Sequence, residues 1–202
     1  MGAMQKVKVK ICGITCPEDG VAASEAGADA IGLVFAEKSK RRVSLDQAKR
    51  IIDAVDPFVT NVGVFVDAPL SFVMETKESL GLDVVQLHGI EDEDYVSNVK
   101  GRVIKAVNPY NLPDIDSYRG AVLLVDQPGG GTGRRFDWDL VVPMAAKRKI
   151  ILAGGLNADN VGEALDRVRP YAVDISSGVE SEPGRKDHNE IRKFVARAKS
   201  KY

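Results

Sequence analysis

The stretch Ala121-Val-Leu-Leu-Val-Asp126 is five apolar residues closed by a carboxylate. A strand with one face in water alternates apolar and polar side chains. A run without that alternation suits a parallel strand covered on both faces. Ile150-Ile-Leu-Ala153 reads the same way. Working outward, β-branched runs recur at 7–14, 30–35, 61–66, 84–88, 103–107 and 172–176; with 121–126 and 149–154 they make eight. Between them lie stretches of helical period at 17–26, 44–55, 69–80, 92–99, 137–147, 158–168 and 188–199. Two of these open on a capping box, Thr15 with Glu18 and Ser44 with Gln47. The last is basic and amphipathic, and its Lys and Arg residues read as a solvated face.

Alternation from end to end predicts an α/β chain closed into a (β/α)8 TIM barrel of eight parallel strands. An open doubly wound sheet is the alternative. Between the fifth and sixth strands only 109–120 is available, and it contains Pro109, Pro113 and Gly120. The fifth helix is therefore predicted to be short or missing. With no linker or low-complexity segment, residues 1–202 read as one domain, with Met1-Gly2-Ala3-Met4 as a cloning scar ahead of a native start at Met4.

Hydrophobic residues make up 44% of the chain, charged residues 28%, and the formal net charge is -1. That balance gives no support for a nucleic-acid or anionic-membrane partner. No signal peptide or membrane-length apolar run is found, so the chain is expected in the cytoplasm. Cys12 and Cys16 are too close to close a useful loop, which fits a reducing compartment. With only two histidines they also make a poor metal site.

Barrel enzymes gather their chemistry at the C-terminal ends of the strands. The first strand ends in Lys10-Ile-Cys-Gly-Ile14, just ahead of a helix, where a dipole favours a thiolate. Cys12 is a candidate catalytic group or else a buried structural cysteine. Asp126 ends the sixth strand and is followed by Gln127-Pro-Gly-Gly-Gly-Thr-Gly133. A charge there is costly unless used or paired, and the glycines suit a loop that closes on a ligand. Gly154-Gly155 after the seventh strand and Ser176-Ser177-Gly178 after the eighth read as a phosphate site. The basic run Lys38-Ser-Lys-Arg-Arg42 lies over the mouth as an anion clamp or a solvated loop. His88 after the fourth strand tunes a neighbouring charge, grips substrate, or is a satisfied core histidine.

Lys10-Ile-Cys-Gly-Ile-Thr15, Gln86-Leu-His-Gly89, Asp126 with its Gly-Gly-Thr-Gly and Phe136-Asp-Trp138, Ala153-Gly-Gly-Leu156 and Asp174-Ile-Ser-Ser-Gly-Val-Glu180 together resemble phosphoribosylanthranilate isomerase. The likeness runs from the first strand to the last helix. It implies an Amadori rearrangement of N-(5-phosphoribosyl)anthranilate in tryptophan biosynthesis, with no cofactor and no metal. It places the catalytic cysteine on Cys12, the catalytic aspartate on Asp126 and the carboxylate-binding arginine on Arg41, with Arg42 adjacent. The family often has Ser-Pro-Arg where this chain has Ser39-Lys40-Arg41. Gly154, Gly155, Ser177 and Gly178 are expected to bind phosphate, and His88 and Asp174 to contact substrate. The family contains monomers and dimers.

This chemistry asks for Asp126 raised by burial and Cys12 lowered by the helix N-terminus and a cation such as Lys10, which alternation puts on the same face. Rival readings are an indole-glycerol-phosphate synthase, a metal-dependent ribulose-phosphate epimerase, a bifunctional isomerase also serving histidine synthesis, and a catalytically inactive barrel that binds a sugar phosphate. The first three lack their catalytic residues here. Cys12 and Asp126 together argue against the fourth.

Overall fold

Period-two alternation decides what each strand turns inward. The structure, a computed structural model, describes residues 6–127 and 135–201. Met1–Met4 and most of the glycine run after Asp126 lie outside the described residues. Eight parallel strands close in sequence order: β1 (Lys8–Cys12), β2 (Ala30–Val34), β3 (Thr60–Phe65), β4 (Val84–Leu87), β5 (Arg102–Val107), β6 (Ala121–Val125), β7 (Ile150–Leu152) and β8 (Ala172–Ile175). The β1–β8 pairing closes the ring, with Lys10 opposite Asp174. The barrel prediction holds, and the open sheet is excluded.

Among the described residues seven α-helices interleave: α1 (Pro17–Glu25), α2 (Leu45–Ala54), α3 (Leu70–Leu80), α4 (Glu93–Asn98), α5 (Val142–Ala145), α6 (Val161–Val168) and α7 (His188–Lys199). None lies between β5 and β6, as expected from the prolines. Outward residues such as Ile11, Leu33, Leu87 and Leu123 are fully buried against these helices. Inward residues Val62, Val84, Ile104, Leu124 and Ile151 fill the barrel. Truncating one such side chain to alanine costs about 2–5 kcal/mol. Both faces of β6 are therefore covered, Val122 alone being partly exposed, which explains the unbroken run from Ala121 to Val125.

Three local expectations need correction. The Ser44–Gln47 capping box forms, but α1 has Cys16 at its N-cap and no side-chain cap. Thr15 Oγ1 donates instead to the Gly184 carbonyl at 2.5 Å. The helix expected over 137–147 splits into a 3-10 turn, Trp138–Leu140, and the single turn α5. Pro143 has no N–H to continue a helix begun at Asp137. The helix expected from 158 starts at Val161, because Asn157 Oδ1 accepts from the Asp159 and Asn160 N–H groups. The sequence reading also missed a small hairpin before α7, formed by β9 (Glu180–Glu182) and β10 (Arg185–Lys186). Among the described residues no helix is long and apolar enough to cross a membrane.

Candidate active site

The same alternation turns Lys10 and Cys12 of β1, Gln86 of β4 and Asp174 of β8 toward the barrel axis. At the C-terminal end Cys12, Gln86 and Asp174 meet Asp126, His88 and Arg41 around one cavity of about 820 Å³, with Lys10 one layer below. Arg41 lines it, whereas Arg42 is exposed and bridges to Val34. That separates two residues the sequence left ambiguous. Gly154, Gly155, Ser177 and Gly178 line a small adjoining recess of about 40 Å³, together with Asp126 and Asp174. The structure thus brings all the expected site residues to one end of the barrel.

Cys12 sits deep. Gly32 on β2 pairs with it, and a Cβ at Gly32 would lie 2.7 Å from the Cys12 Sγ and 3.1 Å from the Lys10 Nζ. Only glycine leaves room for both groups. Lys10 Nζ donates to Asp174 Oδ1 at 2.8 Å, and both side chains are buried. Burial pulls the Lys10 ammonium down, but the charges of Asp174 and Cys12 outweigh it and hold it above its ordinary value. Burial pushes the Cys12 thiol up; Lys10 opposes this and Asp174 reinforces it, leaving the thiol above its ordinary value. The expectation of a lowered Cys12 is therefore overturned. Four residues separate Cys12 from the start of α1 at Pro17, and desolvation dominates.

Asp126 stands across the mouth. Its Oδ1 accepts from the Gln127 N–H at 2.8 Å, and its Oδ2 lies 3.4 Å from His88 Nε2. His88 Nδ1 lies 3.0 Å from Gln86 Nε2. An amide nitrogen only donates; in the tautomer that accepts it at Nδ1, the Nε2–H faces Asp126. His88 thus faces Asp126 across the mouth rather than filling a core. Gln86 is 1% exposed, and its Oε1 has no partner among the described residues.

The sequence model of the N-(5'phosphoribosyl)anthranilate (PRA) isomerase family matches residues 9–197. The N-(5'-phosphoribosyl)anthranilate isomerase of Geobacter sp. strain M21 is 52% identical over 199 residues, covering 95% of this chain and 98% of that protein. This chain belongs to the phosphoribosylanthranilate isomerase family. It is an isomerase, and its barrel is that of the family's solved members. The Thermotoga maritima phosphoribosyl anthranilate isomerase superposes with a TM-score of 0.90 at 43% identity, over 96% of this chain and 99% of that one. A phosphoribosyl anthranilate isomerase in complex with reduced 1-(o-carboxyphenylamino)-1-deoxyribulose 5-phosphate matches with a TM-score of 0.86 at 42% identity, over 96% and 99% of the two chains.

Two groups in this isomerase, Glu180 and Lys186, were given no role by the sequence reading although Glu180 closes one of the family motifs. Glu180 Oε1 and Oε2 accept from Arg41 Nε and Nη2, both at 2.7 Å. Lys186 Nζ donates to Glu180 Oε1 at 2.8 Å and to the Ser176 carbonyl at 3.1 Å. The available signal was a pair of opposite charges flanking Pro183-Gly184, which marks a hairpin. Nothing in it pointed to Arg41, 139 positions away.

Proposed function

We propose that the chain converts N-(5'-phosphoribosyl)anthranilate into 1-(2-carboxyphenylamino)-1-deoxyribulose 5-phosphate, with Asp126 as general acid and Cys12 as general base. Family membership supports the reaction. One observation carries the roles: Cys12 and Asp126 open into a single cavity between Arg41 and the glycine loops. A sugar spanning an anion site at each end meets both groups.

In this reading Asp126 gives its proton to the furanose ring oxygen. The C1–O bond breaks as the anthranilate nitrogen forms a C1=N iminium. Cys12, as thiolate, takes the proton from C2, and the electron pair left behind makes the C1=C2 enolamine. Protonation at C1 and loss of the C2 hydroxyl proton give the ketone. Burial disfavours the thiolate before substrate binds. The iminium adds a second positive charge beside that of Lys10, so ring opening itself favours the base needed next. His88 holds Asp126 by its Nε2–H. Arg41 takes the anthranilate carboxylate; Gly154, Gly155, Ser177 and Gly178 take the phosphate. Asp174 contacts the sugar hydroxyls or the anthranilate nitrogen. The enzyme works in the cytoplasm, as a monomer or a homodimer.

The test is consumption of the fluorescent substrate by purified protein. A positioned acid or base contributes about 10²–10⁴ in rate. Cys12→Ser and Asp126→Asn should each lose at least that much while melting as the wild type does. A wild-type protein that binds substrate without consuming it would instead be an inactive sugar-phosphate-binding barrel. A variant keeping most of its turnover would remove that residue from its role.

A further inference from the structure

Arg41 is held on two sides. Its stem passes over Gly13, whose φ is +75° and where a Cβ would collide with the Arg41 Cδ. The side edge of its guanidinium, Nε with Nη2, is taken by both oxygens of Glu180. Glu180 is pinned in turn by Lys186, whose side chain is 0% exposed against 5% for Glu180. Burial favours the neutral Glu180 carboxyl, but the hydrogen bonds from Arg41 and Lys186 outweigh it and keep the group below its ordinary range. It is a carboxylate at neutral pH; burial pulls the Lys186 ammonium below its ordinary value, and Glu180 is the main group opposing that fall. A guanidinium has five N–H donors in a rigid plane. With the side edge occupied, three remain, on Nη1 and the outer half of Nη2. Two of them, one on each Nη, form a second, parallel pair along the end of the plane, and no described group accepts from Nη1.

We propose that Glu180 is the positioning residue of the carboxylate subsite: it occupies the side edge of Arg41, with Lys186 as its counter-charge, and so fixes the Nη1/Nη2 edge for the carboxylate of an N-aryl sugar phosphate. This rests on the reading that Arg41 takes the anthranilate carboxylate. Selectivity then comes from a pre-set fork rather than from excess positive charge, because ordering a long arginine in advance removes an entropic penalty from binding. A glutamine at 180 keeps the shape but turns an NH2 toward an arginine N–H, so the fork must rotate away.

Two ligands separate positioning from general loosening: reduced 1-(o-carboxyphenylamino)-1-deoxyribulose 5-phosphate and its phenylamino counterpart without the carboxylate. Dissociation constants for both are measured on wild type, Glu180→Gln, Glu180→Asp and Arg41→Ala. Disturbing one partner of a buried charge pair weakens recognition by about ten- to a hundredfold or more. Glu180→Gln is expected to lose that factor on the carboxylated ligand and less than about twofold on the other. Unchanged binding of the second ligand also reports an intact fold. Glu180→Asp, which keeps the charge, is expected to recover part of the loss. Glu180→Gln weakening both ligands equally, or neither, overturns the proposal. If Arg41→Ala leaves the preference for the carboxylated ligand intact, the underlying reading of Arg41 fails, and the positioning role falls with it. If Arg41→Ala abolishes the preference and Glu180→Gln does not, only the positioning role fails.

Discussion

Of the three lysine–carboxylate pairs buried among the described residues, two have their lysine on a barrel strand, and these two are built differently. Lys105 on β5 meets Glu91 at 2.6 Å, with side-chain exposures of 3% and 2%. Every oxygen there is used: Glu91 also accepts from the Asp67 and Gly89 N–H groups, both at 2.9 Å, and Lys105 also donates to the Gly89 carbonyl at 2.6 Å. Lys10 meets Asp174 at 2.8 Å, with exposures of 4% and 9%. Asp174 Oδ2 has no protein partner among the described residues, and the residue lines both the main cavity and the small recess beside it. The first pair is closed and ties the loops after β3 and β4 together. The second is left open beside Cys12. A buried charge whose hydrogen bonds are complete belongs to the fold; one with an unused oxygen facing a cavity belongs to the chemistry.

The same substitution at both lysines is the sharpest way to break that contrast. Lys105→Met strands Glu91 in a dry site, and breaking such a pair costs about 3–5 kcal/mol. Urea unfolding should show that loss, while kcat of the folded fraction stays near wild type. Lys10→Met leaves Asp174 able to take water through the cavity, so its stability loss should be smaller. Its effect is on rate, because the Lys10 ammonium is the main group opposing the rise of the Cys12 thiol. Each unit added to that pKa lowers the thiolate fraction at neutral pH about tenfold. Activity at pH 7 should fall by at least that factor, and the rising limb of the rate–pH curve should move to higher pH. Equal stability losses and equal rates for the two variants would erase the distinction.

A smaller effect is expected in acid. Burial raises Asp29, but hydrogen bonds from Lys199 and Lys8 hold it below its ordinary value, and Glu180 is held low in the same direction. A carboxyl depressed by folding stabilises above its unfolded value, and that contribution is lost as pH falls through the folded one. Melting temperature should therefore be flat through neutral pH and decline below about pH 4, where unfolded carboxyls begin to protonate. A melting temperature that rose on acidification would contradict the sign.

What the sequence could show follows from what periodicity reports. The dry run at 121–125 and the carboxylate after it were legible because a parallel strand has no wet face on which to hide a polar residue. Alternation put Lys10 and Cys12 on one face, and they are indeed neighbours. Periodicity names a face, never a partner. Lys10 and Asp174 are 164 positions apart, and Arg41 and Glu180 are 139 apart. Both pairings arise only from ring closure and from the hairpin folded over the mouth. The raised Cys12 was misjudged for the same reason: a helix was visible in the sequence, but the depth of burial was not.

The central claim is that Cys12 removes the C2 proton after Asp126 has opened the ring. Single-turnover rates with substrate deuterated at C2 of the sugar test it most directly, because product release is then out of the measurement. The account predicts a primary isotope effect in the wild type, and in Cys12→Ser a rate lower by about 10²–10⁴ with the isotope effect retained or enlarged. No isotope effect in the wild type, with Cys12→Ser turning over at the wild-type rate, would contradict it.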